Sequence, residues 1–162
     1  MKHILLSIRP QWVKKILNGD KTIEVRKTAP KCELPCEVYI YCTKDQKLGL
    51  HWAKEWACVE NTNKTLKECS YNGLVVAKFT LNKVGNFNKK SFGTYEEPFT
   101  RNQTELLEKS CLTEKELDDY LKGNKGYAWH IDHLVPFDRP KELKDFGVKR
   151  SPQSWQFIEV EE

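Results

Sequence analysis

The stretch Ser7-Ile8-Arg9-Pro10-Gln11-Trp12-Val13-Lys14-Lys15-Ile16-Leu17-Asn18-Gly19-Asp20-Lys21-Thr22-Ile23-Glu24-Val25-Arg26 spells a helix, a turn and a strand in immediate succession. Pro10 suits a first helical position, where its missing N–H costs nothing, and Gly19 suits the position just past a helix end. Between them Trp12, Val13, Ile16 and Leu17 recur with helical spacing and form one apolar face. The strand alternates, with Ile23 and Val25 on one side and Thr22, Glu24 and Arg26 on the other. A core strand has no need of an acid and a base side by side. A solvated face with a surface ion pair would read the same way from the strand alone.

Four further segments carry strand character: Glu37 to Thr43, Leu74 to Val84, Tyr127 to Leu134 and Trp155 to Val160. Short strands broken by helices, without regular strand–helix alternation, give an α+β chain with a closed or half-open mixed barrel and exclude a doubly wound sheet. Two insertions interrupt the strands. The first, about 46–70, holds His51, Trp52, Trp56 and Cys58 among lysines and reads as a helix whose aromatics lie against the barrel wall. The second, about 85–112, begins with an Asn-, Lys- and Gly-rich loop to roughly Arg101. Beyond it, Thr113-Glu114-Lys115-Glu116 is a capping box that opens a helix through Leu117, Tyr120 and Leu121, ended by Gly123.

Five blocks, in order along nearly the whole chain, resemble the ASCH domain of the PUA-like superfamily: Leu6 to Pro10, Gly19 to Arg26, Tyr39-Ile40-Tyr41-Cys42-Thr43, Gly126-Tyr127-Ala128-Trp129-His130-Ile131 and Pro152-Gln153-Ser154-Trp155. The resemblance implies a PUA-like small mixed β-barrel with flanking helices, spanning 1–162 as a single domain, with a cleft suited to RNA or a modified nucleoside. One branch of that superfamily consists of amidohydrolases acting on acetylcytidine, with a catalytic lysine, a threonine three residues later and a distant glutamate. Lys21 matches the lysine, but Glu24 stands where the threonine would be, and a carboxylate cannot replace a hydroxyl nucleophile without a change of mechanism.

At 162 residues with 39% hydrophobic content the chain can bury a core of its own. A net charge of +4 and a pI near 8.6 favour phosphate-bearing partners without the density of a polybasic protein. No apolar run approaches the roughly 20 residues of a membrane span, and Ile4-Leu5-Leu6 is too short for a signal-peptide core. The six scattered cysteines therefore read as reduced thiols of a cytoplasmic protein, in which Asn63-Lys64-Thr65 and Asn102-Gln103-Thr104 would go unglycosylated. Cys32 and Cys36 lack a second ligand pair at zinc-finger spacing. His130 and Asp132 face away from His133 on a strand, so no metal and no cofactor is expected.

The candidate site follows from these pieces. Lys21 and Glu24 are the groups to carry acid–base or nucleophilic chemistry, or to position a bound water. Arg9, Arg26 and Lys44 offer cations for phosphate, and either arginine would equally serve to pair with Glu24. Tyr41, Tyr127, Trp129 and Trp155 supply rings for stacking, with Tyr127 and Trp129 on one strand face. Ser7, Thr43, Gln153 and Ser154 complete the polar contacts. The leading function is an RNA- or modified-nucleoside-binding domain. The alternatives are a hydrolase in the same cleft, as an amidohydrolase or ribonuclease, and a protein-interaction domain using Trp52 and Trp56.

Overall fold

The computed structural model describes residues 2–52, 55–60, 70–89, 95–96 and 103–160. An inner strand, β1 (Lys2–Ile8), was not among the expected five. Ile4, Leu6 and Ile8 enter one core and Leu5 another, so both faces are buried. A strand covered on both sides has no polar alternation to display, and His-Ile-Leu-Leu accordingly lacks one. Helix α1 (Pro10–Leu17) begins on Pro10, and Gly19 turns the chain in the left-handed region at φ 83°. It delivers β2 (Ile23–Arg26), all four residues of which are buried.

β3 (Cys36–Cys42) lies parallel to β1, and β9 (Trp155–Glu159) lies antiparallel on its other side. The 46–70 insertion contains a hairpin, β4 (Leu48–Trp52) and β5 (Trp56–Glu60), where a helix was expected; residues 61–69 lie outside the described residues. Cross-strand pairing explains the difference, because Trp52 and Trp56 are register partners with ring centroids 5.1 Å apart, and Trp56 also meets Tyr71 at 5.0 Å.

β6 (Val75–Lys89) runs past the expected end at Val84 and into the region read as a loop; it pairs with β3, with the short β7 (Tyr95–Glu96) and with β8 (Gly126–Lys141). Burial of Phe87 drives this extension. Its ring packs so closely on Gly126, its cross-strand partner, that a Cβ there would collide with it. Gly126→Ala is expected to cost about 1–3 kcal/mol, seen as a lower denaturant midpoint. The remainder of the loop lies outside the described residues.

The sheet order is β2-β8-β6-β3-β1-β9, and no ladder among the described residues joins β2 to β9. The fold is mixed α+β, as expected, and no closed barrel is shown among the described residues. Side chains bridge the two ends instead: the Trp155 indole donates to Thr28 Oγ1 at 3.0 Å and Arg26 Nη1 to Ser154 Oγ at 3.3 Å.

Helices α2 (Gln103–Ser110) and α3 (Glu114–Leu121) cover the Ile23/Val25 face of β2 through Leu106, Leu117 and Leu121. The capping box of α3 is complete, Thr113 Oγ1 accepting from Glu116 N–H and the Glu116 carboxylate from Thr113 N–H. A third apolar cluster, around Tyr39, Tyr41, Phe146 and Val148, lies on the sheet face turned away from Trp129. No helix among the described residues is long and apolar enough to cross a membrane.

Candidate functional site

The second face of β2 is buried, and that rules out a solvated sheet face. Lys21 is 2% exposed, Glu24 7% and Arg26 9%. Glu24 stands between two cations: Lys21 Nζ lies 3.2 Å from its Oε2 and Arg26 Nη2 2.9 Å from its Oε1. Both cations also donate to backbone, Lys21 to Ser110 O at 2.6 Å and Arg26 Nη2 to Ser7 O at 2.6 Å. The indole ring of Trp12 lies beneath the ammonium, 5.3 Å away. The cluster therefore clamps α1, α2, β1, β2 and the lead into β9 together. Two cations against one carboxylate leave a net positive charge inside the protein, and Arg26 Nε is buried without an acceptor among the described residues.

Antiparallel register places Glu24 opposite Trp129 and Arg26 opposite Tyr127, so the four side chains share a sheet face. Trp129 is completely buried, with its indole N–H bonded to Thr28 O at 3.1 Å; it is a wall of the site and has no ring face free for stacking. Tyr127 is half-buried, with Lys125 Nζ 5.4 Å from its ring centre. Trp155 is half-buried and packs on Trp129 and Phe157. Ser7 takes part through its backbone carbonyl, since its hydroxyl donates to Pro152 O at 2.7 Å. Ser154 accepts from Arg26, whereas Gln153 is exposed.

Three of the expected residues lie apart from this cluster. Arg9 is exposed ahead of α1; the backbone N–H groups of Leu48 and Lys47 hold the Asp45 carboxyl below its usual range, and the charge of Arg9 adds a smaller contribution. Thr43 bonds through its N–H to Ile8 O. Lys44 lies across Gly73 and lines a surface cleft of about 640 Å³ with Tyr41, Lys144 and Lys149. Tyr41 belongs to the Phe146 cluster, so that cleft opens on the opposite sheet face. On α3, Glu116 closes the capping box and Asp119 pairs with Lys115 at 2.6 Å.

Tyr120 was read in the sequence only as an apolar position of α3, and it stands at the site. Burial raises its phenol pKa, Arg26 lowers it, Glu24 raises it, and the N–H of Lys27 donates to it. Lys27 Nζ sits 4.9 Å from the ring centre. Two tyrosines, each with a lysine over its ring, thus flank the buried cluster.

His130, on the other face, is 8% exposed opposite Ile23, and no group of three metal-binding side chains occurs among the described residues. Burial pushes its pKa down to about 4, helped by Lys83 and Lys109 and opposed by Asp132 and Glu105. The unfolded chain takes up this proton first, so His130 leaves stability untouched above about pH 6.5 and lowers it as pH falls toward about 4. At about 1.4 kcal/mol per unit the loss approaches about 3 kcal/mol. Urea unfolding across that window is expected to show the loss, and His130→Gln to flatten it.

No protein-family model matches the sequence, and no curated protein matches it. Among solved structures the chain is similar to an ASCH protein from Zymomonas mobilis, with a TM-score of 0.65 at 18% identity over 97% of this chain and 87% of that one. A serine-to-alanine mutant of that protein gives 0.63 at 19% over 97% and 88%. A tyrosine-to-phenylalanine mutant gives 0.64 at 20% over 98% and 91%. Likeness at such identity is likeness of backbone, and it extends over almost the whole chain: the protein has the fold of an ASCH domain.

Proposed function

We infer that the chain is a PUA-like binding module for single-stranded RNA or a modified nucleoside, taken up beside Arg26 between Tyr120 and Tyr127. The observation that carries this reading is the buried Arg26 Nε, a charged donor with no acceptor among the described residues, next to two rings that each carry a lysine. A base edge or phosphate oxygen would satisfy the donor, the rings would stack bases, and Lys27 and Lys125 would meet the backbone. Hydrolysis is favoured less. Lys21 and Glu24 are adjacent, but both are held by structural partners, and a base or nucleophile needs a free lone pair.

Titration of a labelled single-stranded RNA over a salt series tests this. Binding is expected to weaken with salt, and Lys27→Ala to reduce the logarithmic salt slope by about 0.7. Tyr120→Ala is expected to cost about 1–3 kcal/mol of affinity. Binding indifferent to both substitutions would exclude this rim, and product appearing in the same mixtures would point to the hydrolase.

A further inference from the structure

Cys32 and Cys36 are chemically paired, and nothing in the site described above uses them. Their sulfurs stand 3.6 Å apart, within thiol hydrogen-bond distance, and both cysteines are free. Cys36 opens β3 and is 6% exposed, whereas Cys32 is half-buried at the end of the segment that leads from β2. We propose that Cys32 and Cys36 form a modification site, at which hydrogen peroxide oxidises the two thiols to an intrachain disulfide.

The geometry suits that step. A disulfide needs sulfurs about 2.05 Å apart, so closure asks for a movement of roughly 1.5 Å across a short surface turn. Cys32, the more accessible thiol, attacks one peroxide oxygen as its thiolate; the O–O bond breaks, a sulfenic acid forms and the departing hydroxide is protonated to water. The Cys36 sulfur then attacks the sulfenic sulfur; the S–O bond breaks, and the hydroxide leaves as a second water with the Cys36 proton. Two thiols are oxidised and one hydrogen peroxide is reduced. Burial, then the hydrogen bond and charge of Cys32, pushes the Cys36 thiol up to about 12, which keeps Cys36 from making the first attack. Conversion of Cys32 to a neutral sulfenic acid removes the charge contribution and leaves burial. The product ties to β3 the segment whose Thr28 receives both the Trp129 and the Trp155 indole N–H.

The test treats the full folded chain with hydrogen peroxide, alkylates the remaining thiols and cleaves after glutamate. Cleavage at Glu33 and Glu37 puts Cys32, Cys36 and Cys42 on separate fragments. The expected product is the Cys32 and Cys36 fragments joined, two hydrogen masses lighter and separated again by dithiothreitol. With Cys36→Ser, Cys32 is expected to stop at a sulfenic acid that dimedone captures. Should that variant fail to fold, Cys32→Ser at the more exposed position is expected to abolish the cross-link and leave Cys36 unoxidised. Oxidation of Cys32 to the sulfinic acid beside an intact Cys36 would overturn the proposal, as would earlier loss of Cys42, Cys58 or Cys111, or no thiol loss.

Discussion

Glu24→Ala is expected to destabilise the protein by about 3–5 kcal/mol, the cost of leaving buried charges without their counter-ion. Lys21 and Arg26, 2% and 9% exposed, would then face each other with no carboxylate between them. Their remaining partners, the carbonyls of Ser110 and Ser7, the Ser154 hydroxyl and the Trp12 ring, supply dipoles and no charge. Glu24→Gln is expected to cost nearly as much, because it keeps the shape and loses the charge. Lys21→Met should cost distinctly less, since it leaves a balanced Glu24–Arg26 pair 2.9 Å apart. Urea midpoints of the three variants decide the matter. A change of under about 0.5 kcal/mol for Glu24→Ala would place the trio in the class of exposed ion pairs.

Trp129→Ala is expected to cost about 3–5 kcal/mol as well, by a different mechanism. The side chain is wholly enclosed among Ile4, Leu6, Val38 and Phe79, and its N–H holds Thr28 O at 3.1 Å. Removal leaves a cavity and frees the segment that bridges the two ends of the sheet. A stacking platform behaves in the opposite way, losing ligand affinity while the denaturation midpoint stays put. Measurement of both quantities on one variant separates wall from platform.

Local signals made part of this molecule legible before its fold was known. Pro10 and Gly19 bracket α1, and the Thr113 capping box opens α3, because each acts within a few residues of its own position. Alternation likewise exposed β2 and its charged face. β1 escaped notice for lack of alternation, and the β4–β5 pair because the spacing of Trp52 and Trp56, cross-strand partners four residues apart, imitates a helical face.

The site was legible in chemistry and only partly in membership. Lys21, Glu24 and Arg26 do converge, since one short strand and its entry carry all three. Ser7 enters through a carbonyl, a group every residue owns and no sequence advertises. Tyr120 enters because α3 packs on β2, a tertiary fact independent of its helical spacing. Lys44 leaves because, past the end of β3, it lines with Tyr41 a cleft on the opposite sheet face.

The side-chain Nε–H resonance of Arg26, followed by nitrogen-edited NMR during titration with short single-stranded RNA and with modified nucleosides, tests the binding account most directly. Engagement of this donor, which has no acceptor among the described residues, is expected to move the signal in step with Tyr120 and Tyr127, and Arg26→Lys to abolish the response of the two tyrosines. An Arg26 signal that stays fixed while ligand perturbs other residues, or a spectrum that no nucleic-acid ligand alters, would contradict it.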